Sequence, residues 1–110
     1  MPSSDKKLCS EWYVYLIRTR LNTLYCGITT DVNRRYSQHC QGNGAKSLKG
    51  KTPLTLEWFQ AVGKSRSIAS KYEYRIKKLP KVHKELLIRG DVELDGLVNI
   101  ELVQESPPCI

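Results

Sequence analysis

A chain of 110 residues, 40% of them hydrophobic, carries enough apolar side chain for one modest core and too little for two independent domains. No run reaches the ~18 apolar residues of a bilayer-spanning helix, and the opening MPSSDKKLCS lacks the apolar segment of a signal peptide, so a soluble, cytoplasmic protein is expected. The net charge of +7 is unevenly placed: residues 1–90 hold all 18 Lys and Arg against six acids, net +12, and residues 91–110 hold five acids and no Lys or Arg, net −5.

A basic body implies an anionic partner, with nucleic acid the first choice; a solvated basic surface without a ligand is the plain alternative. Cys9, Cys26, Cys40 and Cys109 form no C-x-x-C pair and follow no regular spacing, so they read as reduced thiols and suggest neither a zinc site nor a disulfide framework.

Residues 1–11 are polar and aperiodic and form a loose lead-in. Trp12 to Ile17 is aromatic, β-branched or leucine throughout, which favours a strand. A turn over Arg18 to Thr23 leads into a second strand, Leu24 to Ile28. An antiparallel register with Tyr15 across from Tyr25 and Tyr13 across from Gly27 puts both phenols on one face. Thr29, Thr30 and Asp31 offer capping oxygens for a helix over Val32 to Gln41, with Gly42 to end it. On that helix the four-residue spacing of Val32, Tyr36 and Cys40 predicts a core stripe, bordered by a second row of Arg35 and His39.

The segment QGNGAKSLKGKTP, residues 41–53, has three glycines and three lysines and reads as a flexible basic loop. Lys46, Lys49 and Lys51 are its candidate phosphate contacts. Leu54 to Val62 supplies a third strand and completes a small antiparallel sheet. Ser65 or Ser67 can cap a helix running to about Leu79, with Ile68, Tyr72, Ile76 and Leu79 as its apolar stripe. Glu73, one position beyond Tyr72, borders this stripe at roughly 100° around the helix. It is the single acid of a strongly basic helix, so it either pairs with Lys77 at i, i+4 or holds a metal. A shorter helix over Val82 to Arg89 ends at Gly90. The acidic segment 91–110 follows, with apolar residues for an added strand or two; it could fold over the basic face and compete with nucleic acid.

Phenols, a guanidinium, an imidazole and a carboxylate at these offsets are similar to the GIY-YIG nuclease domain. The resemblance rests on Tyr13-Val14-Tyr15, then Tyr25-Cys26-Gly27, Arg35, His39 and the helical Glu73, and it covers residues 12–79. The chain is most like the small stand-alone bacterial members. Both tripeptides depart from the family pattern: Tyr13-Val14 stands for Gly-Ile, and Cys26 for the central Ile. The family's later supporting polar residue has no match beyond Asn99, to which no role is carried over.

The resemblance implies an α+β fold, a three-stranded antiparallel sheet flanked by helices, over residues 12–90. It also implies a metal-dependent endonuclease hydrolysing phosphodiester bonds in DNA, as such domains do in repair, recombination, restriction and homing, with RNA equally open. Arg35 would face the phosphoryl oxygens, and Glu73 would hold one Mg²⁺ or Mn²⁺. Tyr15 or Tyr25 would act as base or position the water, and His39 would orient a phenol or the phosphate. A chain with so little beyond the domain is expected to choose substrates by structure or through a protein partner. The alternatives are a nucleic-acid-binding module of the same fold that cleaves weakly, or a basic face that binds an acidic protein.

Overall fold

A computed structural model describes residues 11–94. Strand β1 (Tyr13–Arg18) is central, with β2 (Leu24–Thr29) on one side and β3 (Thr55–Ala61) on the other, both antiparallel to it. Helix α1 (Val32–Cys40) follows β2, and α2 (Arg66–Lys78) and α3 (Lys81–Arg89) follow β3. The expected α+β architecture, a three-stranded antiparallel sheet flanked by helices, is the one present.

The sheet has apolar cover on both faces, which is why β1 reads as a nearly continuous apolar run. From one face Val14 and Leu16 of β1 and Cys26 of β2 pack with Ile76 and Leu79 at the α2 end, Leu87 of α3 and Leu94. From the other, Tyr15 and Ile17 pack with Leu48 and Leu54 of the connection after α1, joined by Tyr25, Tyr36 and Ala45. Leu16 and Ile17, adjacent in sequence and both fully buried, thus anchor opposite layers.

Register departs from expectation by two residues. Tyr15 faces Gly27, and Tyr25 faces Ile17. A shift of two preserves the sheet face, so the phenols remain on one side as diagonal neighbours, ring centroids 6.3 Å apart. The physical reason lies at Gly27: a Cβ there would run into the Tyr15 phenol, so the ring lies over the one strand position with no side chain. Between β1 and β3 the pairing skips a residue, from Leu16 with Trp58 to Ile17 with Leu56. The extra residue, Glu57, accepts a 2.7 Å bond from Arg18 Nε.

Two core assignments change. On α1 the buried residue is His39, and Cys40 is exposed; the helix turns toward Arg35, Tyr36 and His39 because the Tyr36 hydroxyl donates to the Leu54 carbonyl (2.8 Å) and His39 bonds to Tyr15. On α2, Ile68 is exposed and Ala69 is buried in its place, the smaller side chain allowing close approach. Caps form at Asp31, which accepts from the Arg34 N–H, and at Ser65, which accepts from the Ile68 N–H.

The glycine-rich connection, expected to be flexible, is a folded one. A 3₁₀ turn over Lys46–Leu48 drives Leu48 into the core, and the Lys51 carbonyl accepts from the Arg20 N–H (3.1 Å). Beyond α3, Gly90 takes the left-handed conformation (φ 79°) that a helix C-terminus favours, and the core continues to Leu94. The rest of the acidic segment, with Asn99 and the suggested strands, lies outside the described residues.

Candidate active site

Sequence offsets become one cluster on the β2 side of the sheet. Tyr15 from the central strand is 2% exposed, and its hydroxyl lies 2.8 Å from His39 Nε2. Tyr25 from β2 packs edge-on against the same imidazole, centroids 5.5 Å apart. His39 is itself 1% exposed, and its Nδ1 accepts a 3.1 Å bond from the Ala45 N–H. The backbone of β1, β2, α1 and the connection after α1 holds these groups, so their geometry is set by the fold and not by flexible side chains.

Burial keeps this cluster neutral. Desolvation, with the neighbouring Tyr25 adding, pushes the Tyr15 phenol above the ordinary value. Arg35 works against that rise through its charge and a hydrogen bond. Tyr25 is raised less deeply, mainly by burial and then with Glu73 adding, while Lys77 and Arg35 pull it down. The imidazole of His39 is held at about 4 by burial first and the Arg35 charge second. Arg35 thus acts on all three rings, from a half-buried position in which one of its nitrogens donates to Gln38 Oε1 (2.9 Å).

Glu73 belongs to α2, which packs on the Val14, Leu16 and Cys26 face of the sheet, opposite the phenols, and the link between Glu73 and the cluster is its charge acting on Tyr25. Its charge acts both on Tyr25 and on Cys26, whose side chains leave opposite faces of that strand; buried Cys26 is pushed up to about 12, burial first and Glu73 second. The carboxylate pairs with Lys77 at 3.1 Å, a contact to an exposed lysine that an incoming cation could displace. Among the described residues no group of three or more His, Cys, Asp or Glu could enclose a metal. A hard divalent ion that keeps most of its waters and takes one carboxylate plus phosphate oxygens fits this donor set; an all-protein cage does not.

Lys46 and Lys49 are exposed, and Lys51 is half-buried. Lys51 and Tyr25 line one small cavity of about 120 Å³ together with Thr19, Thr23 and Ser47, so the basic connection borders the phenol cluster. Sequence reading missed Gln38 as the Arg35 partner and missed Gly44 and Ala45 altogether. The only signal is their place four and five residues beyond Cys40, the last residue of α1, where glycine reads as flexibility. A second unanticipated group is Arg18, which donates to Glu57 and Asn22 and makes two bonds, 2.7 and 2.8 Å, to Glu85. It ties β1, β3 and α3 together away from the phenols.

A sheet of this order carrying paired phenols, an arginine and an imidazole against a helical glutamate defines a class of protein, and comparison with known families agrees. The family model described as the GIY-YIG catalytic domain matches residues 11–85. The chain belongs to the GIY-YIG family, a family of nuclease domains. A UPF0213 protein of Vibrio cholerae is 54% identical over 91 residues, which is 83% of this chain and 90% of that protein. The UPF0213 protein YhbQ of Salmonella typhimurium is 60% identical over 88 residues, 80% and 87% of the two chains. A solution NMR structure of a UPF0213 protein from Bacillus halodurans is similar at 37% identity and a TM-score of 0.46, over 72% of this chain and 83% of that one.

Proposed function

We propose that this chain is an endonuclease that hydrolyses phosphodiester bonds in DNA with one divalent metal, choosing its target by nucleic-acid structure and not by base sequence. The observation that carries the proposal is the buried Tyr15–His39 bond with Tyr25 packed on the same imidazole and Arg35 acting on all three. Packing alone gives no reason to bury two phenols and an imidazole around a guanidinium.

In this reading Arg35 binds the non-bridging phosphate oxygens, where a fixed planar cation stabilises the charge that builds up in the transition state. Tyr25 positions the attacking water and is the better candidate for base, because it is less buried than Tyr15 and two cations, Lys77 and Arg35, offset part of the rise that burial causes. Tyr15 stays protonated, held in place by His39. Lys46, Lys49 and Lys51 contact flanking phosphates. A Mg²⁺ or Mn²⁺ held by Glu73 would, when bound, stabilise the departing 3′ oxygen. The working domain is residues 12–90.

A second reading, a nucleic-acid-binding module that cleaves weakly, draws support from the Glu73–Lys77 pair, which neutralises the one carboxylate suited to a metal. One experiment separates the two: duplex, flapped, branched and single-stranded DNA, and RNA, are each incubated with Mg²⁺ or Mn²⁺ and either the parent protein or the Arg35→Ala and Glu73→Gln variants. Metal-dependent cleavage that drops at least ~100-fold in both variants supports the endonuclease. Salt-dependent binding without cleavage supports the binding module, and cleavage that survives both substitutions sinks the site assignment.

A further inference from the structure

We infer that Gly44 and Ala45 are positioning residues for Tyr15: the Ala45 N–H, brought onto His39 because Gly44 has no side chain, selects the ring nitrogen that carries the proton and thereby fixes the direction of the Tyr15 hydroxyl. A neutral imidazole has one N–H and one bare nitrogen. A backbone N–H can only donate, and Ala45 donates to Nδ1 at 3.1 Å. Nδ1 is therefore the bare nitrogen, and the ring proton sits on Nε2. Nε2 lies 2.8 Å from the Tyr15 hydroxyl, so the phenol oxygen accepts from His39. Tyr15 keeps its own proton for another partner, a phosphate oxygen or the attacking water. The opposite tautomer would set two N–H groups against each other at a site that is 1% exposed and would leave a buried donor without an acceptor.

The approach requires glycine. A Cβ at Gly44 would meet His39 Nδ1, with Cε1 at 2.8 Å and Cγ at 2.9 Å, and the buried ring has no room to step aside. The segment is fixed at both ends: the Asn43 N–H donates to the Gln38 carbonyl (2.9 Å), and Leu48 is buried. With His39 held near 4, the neutral form that the scheme requires is the one present at neutral pH. The inference depends on the proposed endonuclease function for its catalytic consequence but not for its tautomer.

The test uses the full chain labelled with ¹⁵N-histidine, with His83→Gln to assign the two rings. Two-bond ¹⁵N–¹H correlation at pH 7.5, without DNA or metal, is expected to show a protonated Nε2 and a bare Nδ1 in His39. A protonated Nδ1, or an average of both forms, overturns the inference. In Gly44→Ala the ring pattern should change, and kcat for DNA should fall roughly 10- to 100-fold with KM moving less than about 3-fold; a variant with parental ring pattern and parental kcat also overturns it. Should Gly44→Ala fail to fold by circular dichroism, the parental ring pattern decides alone. A parent protein that cleaves no DNA removes the endonuclease reading and leaves the tautomer result to stand or fall by itself.

Discussion

Acidification should expose the cost of burying His39. Its pKa in the folded chain is about 4, against about 6.5 for an unfolded histidine. Because the folded value is the lower one, the unfolded chain takes up the proton first as pH falls. The stability tied to the neutral ring is complete above about pH 6.5 and is lost down to about pH 4. The gap between the two values corresponds to about 3 kcal/mol in all, of which about 2 kcal/mol is lost between pH 7.5 and pH 5. Urea unfolding at pH 7.5, 6 and 5 measures this, with His39→Gln as the non-titrating comparison. With a urea slope of ~1–3 kcal/mol/M, the parent midpoint should fall by up to ~1–2 M more than that of the variant. Glu85, held near 2 by hydrogen bonds from Arg18 and Lys81, titrates below this window, and the other carboxylates are common to both proteins. Parallel curves for parent and variant over pH 7.5 to 5 would refute the assignment of a buried neutral imidazole.

Gly27→Ala should lower unfolding free energy by about 1–3 kcal/mol, read in urea, because the new methyl must displace the Tyr15 ring from over β2; cleavage should fall with it. Glu85→Gln removes the paired bonds to Arg18 and should cost about 1 kcal/mol in the same assay, since all three charged partners are partly exposed, and DNA cleavage by the folded fraction should be unchanged. Replacing Lys46, Lys49 and Lys51 together with Ala should weaken DNA binding across sequences. The slope of log affinity against log salt should shrink by up to ~0.9 for each phosphate no longer neutralised, measured by anisotropy at several salt concentrations.

How much was legible in the sequence depended on whether a residue's partner was local. Strand and helix positions follow from apolar periodicity and capping side chains, so Asp31, Ser65 and Gly90 marked their boundaries correctly. Register and helix rotation are settled by tertiary contacts, and there expectation and structure part. Spacing by four could not tell Cys40 from His39 as the inward residue of α1, because the deciding contacts come from Tyr15 on a distant strand and from Ala45 after the helix. Ile68 lost its core position to Ala69 for a similar reason: packing on the sheet selects for close approach as well as apolarity. The Arg18 cluster was invisible because Glu57 and Glu85 are 39 and 67 residues away from it, and nothing in their neighbourhoods sets them apart from surface acids.

The two polar clusters on this sheet show opposite solutions to burying a side chain that can carry charge. Around Arg18 every charge is kept and matched: the guanidinium is raised by Glu85 and Glu57, and Glu85 is correspondingly held near 2. Such a cluster is satisfied, and an anionic ligand would gain little by entering it. Around Tyr15 the charge is withheld: two phenols are pushed up and an imidazole is pushed down, leaving Arg35 with neutral hydrogen-bond partners, Gln38 and the Tyr15 phenol. A phosphate arriving there meets a cation whose charge is not matched by an acid among the described residues, in surroundings drier than bulk water, where the attraction is strongest. The difference between these clusters, more than the presence of tyrosines in a strand, is what supports the proposal that a phosphodiester binds at the second.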